Sequence, residues 1–292
     1  MGKSASHYAI KEDLGKIILA WQQENNLQCV ANHAVAKNTY LRKYLVAQGV
    51  TGFIDITAPS IQAFKLSCGF KKNTGRTIRA KLAAISNFCE YAIDQGCMSC
   101  NPCQHIKRPR LQEGVVVYYY EQEVRLILKA GQEQNIYLPV FMALKTGLRA
   151  GELRRLQWEQ IDLHRRVITV INTKSKKIRY VPIAADMLAV LVSRVGTGPV
   201  FPNRSGQCWG RSTWDNWIKK LAAALPLIFI KPRPNGGPGN GWHGFRSTWI
   251  TNCVNAGIPV HKVAKWAGHS NIAVTQRYLF AASGYDDDIE KL

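Results

Sequence analysis

Apolar residues recur at helical spacing through the first hundred positions. Leu14, Ile17, Ile18 and Trp21 form one stripe, and Leu41, Tyr44 and Leu45 begin a second after a candidate cap at Asn38. Thr57 precedes Ala58-Pro59-Ser60, where proline suits a first helical turn, and Ile61, Phe64 and Cys68 continue the spacing. The clearest stripe is Ile78, Leu82, Ile85, Cys89 and Ala92, ended by Gly96. These patterns predict a small domain of four helices over residues 1–100. Periodicity lapses from 101 to 117, where Pro102, Pro109, Lys107, Arg108 and Arg110 mark an exposed basic linker.

From residue 118 to 292 the pattern is mixed. Helices are predicted near 120–130, 136–147, 150–159, 184–195 and 211–224. Arg166 to Asn172 and Lys177 to Ile183 are alternating and β-branched, and they flank a Lys-Ser-Lys turn, which predicts a hairpin. A Pro/Gly-rich stretch, Pro232 to Gly241, precedes three short helical pieces. The fold class expected is mainly α with a small β-hairpin or sheet: a helical N-terminal domain, then an α+β domain.

A length of 292 residues fits two domains, and 46% hydrophobic with 20% charged residues excludes wholesale disorder. No apolar run approaches the ~18 residues of a membrane helix, and the N-terminal residues lack the apolar core of a secretory signal. A cytoplasmic protein with no membrane partner is expected. The charge changes the picture further. Lys plus Arg number 39 against 19 Asp plus Glu, a net +20, which points to a polyanionic partner and to nucleic acid before a membrane surface. Lys71, Lys72, Arg76, Arg79 and Lys81 cluster just before and within the Ile78 stripe. Such clusters are usually solvated faces, but on this background they are candidate phosphate contacts, as are Lys107 and Arg108 of the linker. The last residues, with Asp286, Asp287, Asp288 and Glu290, are acidic instead.

Eight cysteines in an intracellular chain suggest free thiols. Cys97, Cys100 and Cys103 have a spacing that could suit iron–sulfur or zinc, but neither pattern is completed, and His105 is poorly spaced. No metal site is expected.

Several cationic and hydrogen-bonding residues lie where structure should hold them. Arg149 opens a helix in Thr-Gly-Leu-Arg-Ala-Gly-Glu-Leu, with Glu152 three residues on. Lys174 sits in the hairpin turn, and His243 and Arg246 are three apart on one helical face. His269 follows Gly268, and Tyr278 lies in Thr-Gln-Arg-Tyr. Each has a plain reading alone: a surface ion pair, a solvated turn, a structural histidine, a core aromatic.

Their order joins them. Arg, Lys, His-x-x-Arg, Gly-His and Tyr in this sequence is similar to the signature of the tyrosine recombinases, the phage-integrase and Xer-type family. The resemblance covers essentially the whole chain. Asn101-Pro102 resembles the close of the family's core-binding domain, and Thr146-Gly147-Leu148-Arg149 with Glu152 its first arginine box. Lys174, eight residues before Pro182, resembles the hairpin lysine box. His243-Gly244-Phe245-Arg246 resembles the His-x-Leu-Arg box, and Gly268-His269 and Tyr278 have the family's spacing. Ser247 departs from it, standing where a second histidine often follows the arginine.

The resemblance implies an N-terminal core-binding domain and a catalytic domain that cleaves and rejoins DNA through a 3′-phosphotyrosine, without metal or other cofactor. The residue types suit that chemistry. Tyr278 is the candidate nucleophile, and a tyrosine of ordinary pKa about 10 needs local help to lose its proton. Arg149 and Arg246 can bind the scissile phosphate bidentately and supply positive field. Lys174, crowded by arginines, is the candidate general acid. His243 is assigned to the tyrosine proton or to orienting the phosphate, His269 to a phosphate oxygen, and Glu152 to holding Arg149. Double-stranded DNA is the expected partner, with four protomers on two sites, accessory DNA-bending proteins as further candidates, and a nucleoid-associated location. The acidic residues after Tyr278 are a candidate for docking on a neighbouring protomer. A topoisomerase-like nicking-closing enzyme of type IB and a non-catalytic architectural DNA-binding protein stay open as alternatives.

Overall fold

The computed structural model describes residues 11–28, 31–111, 116–171, 178–229 and 241–282, and within these the side chains of all but 32 and 280–282. The chain divides into two compact units, Met1–Glu113 and Gly114–Leu292.

The first unit is helical: α1 (Glu12–Gln28), α2 (Ala31–Gln48), α3 (Ala58–Phe70) and α4 (Gly75–Asp94). Leu14, Ile18 and Trp21 bury one face of α1 against Leu41, Tyr44 and Leu45 of α2 and the Ile78-to-Cys89 stripe of α4. The Thr57 hydroxyl caps α3 by accepting from the Ser60 backbone N–H at 3.3 Å. Asn38 caps nothing: it lies inside α2, whose first described residue is Ala31. Asn101 ties the segment after α4 back to that helix. Its side chain donates to Ser86 Oγ at 2.9 Å on α4 and accepts from the Cys103 N–H at 3.0 Å.

The second unit runs α5 (Glu121–Glu133), α6 (Tyr137–Thr146), α7 (Ala150–Arg154), β1 (Ile161–Asp162), β2 (Val167–Ile171), β3 (Ile178–Pro182), α8 (Ala185–Val192), α9 (Arg211–Ala224), α10 (Pro226–Phe229), α11 (Gly241–Asn255), α12 (Val260–Ala267) and α13 (Ala273–Ala282). The strands form one antiparallel sheet in the order β1-β2-β3, so the expected hairpin gains a third, two-residue edge. The helix expected over 150–159 stops at Arg154, and a 3-10 turn at Trp158–Gln160 leads into β1. Of the pieces after the Pro/Gly-rich stretch, α11 is long, at 15 residues. It is buried nearly all round from Gly244 to Thr251 and packs against α6, α12 and α13. A helical stretch buried all round needs partners on every side, which makes this central part of α11 a rigid platform for what it carries.

Among the described residues no helix is long and apolar enough to cross a membrane, and no group of His, Cys, Asp or Glu is arranged to hold a metal ion.

Candidate functional site

The site forms around two helix ends. α6 ends at Gly147, whose φ of 60° makes it a left-handed cap. α12 ends likewise at Gly268, with φ 69°. Each end exposes carbonyls that no further helical turn can satisfy, and each carries the negative pole of a helix. Arginines fill that need. Arg246, on buried α11, donates from Nη1 to Gly147 O at 2.5 Å and from Nη2 to Ala267 O at 2.6 Å. Arg149 Nη2 donates to Gly268 O at 3.0 Å. Arg179 Nε donates to Trp266 O at 2.9 Å. Three consecutive carbonyls at the end of α12 thus accept from three different guanidiniums.

Glu152 binds two of these arginines to each other. Its Oε1 accepts from Arg179 Nη1 at 2.9 Å and from Arg149 Nη1 at 3.1 Å. Its Oε2 accepts from Arg179 Nη2 at 2.6 Å and from the Arg149 backbone N–H at 2.8 Å. Four bonds occupy the acceptor capacity of an ionised carboxylate. Burial alone would raise the Glu152 carboxyl, but Arg179, with Arg149 behind it, outweighs that and holds it below the usual carboxylate range. Burial first, and then the like charge of Arg149, brings Arg246 down to about 10, so it remains a cation at neutral pH. Three guanidiniums around one carboxylate leave a net positive site with Arg246 only 2% exposed and the Arg149 side chain 44% exposed. Such a site can neutralise a phosphodiester and the charge that develops on it.

Tyr278 on α13 is brought to this cluster, 4% exposed, with its hydroxyl 3.4 Å from Ser247 Oγ on α11. Ser247, the departure noted in the sequence, therefore occupies the place of a direct tyrosine contact. The phenol also lies close enough to Arg246 for their charges to interact. His269 Nδ1 is 2.7 Å from Thr275 Oγ1. Burial first, then Arg246, Arg149, His243 and Arg179, pushes the His269 imidazole down to about 4. His243 is on the exposed side of α11, within electrostatic reach of His269. Arg149, Glu152, His243, Arg246, His269 and Tyr278 are thus gathered in one unit. Lys174 and the acidic residues after 282 lie outside the described residues.

Two arginine-site features escaped the sequence reading. Thr275 orients His269, and no spacing rule singles it out. Arg179 had a signal: it occupies the inward phase of β3, between buried Val181 and opposite buried Val170, where an apolar residue is the norm. The basic residues of the first unit divide. Lys71, Lys72 and Arg76 are exposed, as are Lys107 and Arg108, and Arg79 is half-buried. Lys81 is corrected: it is 7% exposed, because its ammonium turns inward to Asn73 Oδ1 at 3.1 Å and Cys68 Sγ at 3.3 Å. It lines an open groove of about 690 Å³ whose other basic residues are Arg42, Lys43 and Lys71. Arg42 and Lys43 carry no sequence signal of their own, since they lie on the polar side of a helix whose pattern is its apolar stripe.

The model described as "Phage integrase family" matches residues 118–283. The tyrosine recombinase XerC of Bacillus licheniformis is 26% identical over 260 residues, covering 81% of this chain and 80% of that one. A shufflon-specific DNA recombinase of Escherichia coli is 32% identical over 117 residues, 39% of this chain and 30% of that one. Among solved structures, the Tn1549 transposon integrase in complex with transposon right end DNA superposes with TM-score 0.72 at 17% identity, over 94% of this chain and 98% of that one. A lambda integrase tetramer bound to a Holliday junction gives 0.74 at 14% identity, over 91% and 76%.

Proposed function

The chain belongs to the phage integrase family of tyrosine recombinases, and from that membership we propose that it cuts and rejoins DNA at specific sites through a 3′-phosphotyrosine on Tyr278. It is a DNA strand-breaking and rejoining enzyme. The observation that carries the residue assignment is the gathering of Arg149, Arg246 and Tyr278 around the ends of α6 and α12.

The scissile phosphate sits against the free faces of Arg149 and Arg246, whose backbone carbonyl bonds fix where those faces point. Tyr278 Oη attacks phosphorus, the bond to the 5′-oxygen breaks, and the leaving oxygen takes a proton from Lys174. His243 accepts the tyrosine proton or orients the phosphate. His269, neutral near pH 7, donates a hydrogen bond to a phosphate oxygen from the ring nitrogen that Thr275 does not occupy. Glu152 holds Arg149 and takes no proton, since all its acceptor sites are filled. Positive field comes from guanidiniums already in place, so their reorganisation at the moment of reaction is small.

Duplex DNA is the partner. Lys71, Lys72, Arg76, Arg79, Lys107 and Arg108 contact its phosphates, joined by Arg42 and Lys43 at their groove. Four protomers on two sites complete a recombination event, with DNA-bending proteins as helpers and a cytoplasmic, nucleoid-associated setting. The net charge of +20 supports the DNA assignment, and the lambda integrase tetramer supports the stoichiometry. Covalent trapping tests the reading. The chain is incubated in EDTA with sheared genomic DNA, denatured, and the protein-linked fragments sequenced. Adducts clustered at one sequence with wild type and lost with Tyr278→Phe are expected. Salt-sensitive binding with no adduct from either protein would leave an architectural DNA-binding protein.

A further inference from the structure

We propose that Arg179 is a positioning residue for strand cleavage, the third guanidinium on the end of α12, whose task is to keep Arg149 and the His269 turn in register with the β-hairpin. The inference rests on the functional reading above and adds a residue to it.

Arg179 has no spare face for DNA. Its side chain is 8% exposed, and Nε, Nη1 and Nη2 each hold a fixed partner: Trp266 O, Glu152 Oε1 and Glu152 Oε2. Those partners belong to two different elements of the site. Glu152 sets Arg149 through both its side chain and its backbone N–H. Trp266 lies one turn before His269, and Gly268 packs so close that an added Cβ would come within 2.9 Å of Arg179 Cδ. Arg179 itself is fixed on β3, five positions after Lys174 in the sequence. One planar, always-charged side chain therefore ties together the hairpin, the first arginine and the histidine turn. A lysine could supply the charge, but not two parallel bonds to a carboxylate together with a third, in the same plane, to a separate carbonyl.

Charge gives the second reason. Glu152 would cancel the charge of Arg149 if the two were alone. With Arg179 paired to the same carboxylate, the cation of Arg149 stays available to a phosphate. A charged residue in the inward phase of a β-strand is costly to bury, and apolar Val181 and Ile183 show what that phase otherwise holds.

The test uses the full chain and a nicked duplex bearing the sequence at which wild-type adducts accumulate. Single-turnover covalent cleavage, DNA affinity and melting temperature are measured for wild type, Arg179→Gln, Arg179→Lys and the double variant Arg179→Gln with Glu152→Gln. Arg179→Gln is expected to cleave about 100-fold more slowly, the scale of loss when a catalytic group is misplaced by about 1 Å, while its affinity for DNA stays within about threefold (roughly half a decade of the 1.4 kcal/mol that a decade represents). Arg179→Lys is expected to recover part of the rate. The double variant is expected to cleave faster than Arg179→Gln alone, because removing the Glu152 charge frees Arg149. A residue that merely holds the fold would lower affinity and cleavage together, and the double variant would be slower still; that result overturns the inference. Wild-type cleavage matched by Arg179→Gln overturns it while leaving the functional reading intact, and absence of wild-type adducts overturns both. Should Arg179→Gln fail to fold, Arg179→Lys decides: slowed cleavage at unchanged affinity is expected, and a wild-type rate refutes.

Discussion

His269 shows how burial and neighbouring charge together set the chemistry of one residue. Its imidazole is partly buried and then crowded by cations, and its folded value of about 4 lies below the ordinary 6.5. Between those values the unfolded chain binds more protons than the folded one. The associated stability is therefore present above pH 6.5 and is lost as pH falls through 4. Two outcomes follow for the free protein. The His269 ring resonances should stay flat from pH 8 to about pH 5, and acidification from 6.5 towards 4 should lower the melting temperature of wild type more than that of His269→Gln. A ring titrating near 6.5 would contradict the neutral hydrogen-bonding role. Ser247 makes a complementary point. In the sequence it was a gap in a pattern; in the structure its hydroxyl faces the Tyr278 phenol. Distances of that kind are set by how α11 packs on α13, and no spacing along the chain encodes them.

Elements explain why the arginines stay where they are. Arg246 depends on Gly147, whose carbonyl it holds and whose backbone is left-handed. An alanine there is strained twice, since its Cβ would lie 2.2 Å from Trp249 Cε3 on α11. Gly147→Ala should destabilise the protein by about 2–4 kcal/mol, combining backbone strain with overpacking. Gly257→Ala is the control: Gly257 has φ 73° but open space around its Cα, so only the backbone cost of about 1–2 kcal/mol applies. Denaturant melts of the two variants check this, and equal losses would contradict it. The elements themselves were largely legible. The α4 stripe and the β2–β3 alternation follow from side chains meeting a core at periods near 3.6 and 2, and α9 spans the residues expected of it. What escaped was short or internal: β1 with two residues, α10 with four, and the early stop of α7. Segments that small hold their shape by tertiary contacts and carry too little periodicity to be read.

At the scale of the whole molecule, the sequence announced a polyanion-binding protein through charge and a DNA-cleaving one through five ordered motifs. It could not say which basic residues face outward. Lys81 belongs to the same stretch as Arg76 and Arg79, yet it points into the first unit, towards Cys68 and Phe64. Arg179 lay in plain view beside the lysine motif, but its role depends on Glu152, 27 positions earlier, and on Trp266, 87 positions later. Such a residue is found only when the strand, the arginine box and the end of α12 are seen together. The whole cluster serves one nucleophile. The measurement that tests it most directly is mass-spectrometric mapping of the peptide that carries DNA after denaturation and digestion of the trapped adduct. A nucleotide 3′-phosphate on Tyr278 is expected; attachment to any other side chain, with Tyr278 unmodified, would refute this role for Tyr278.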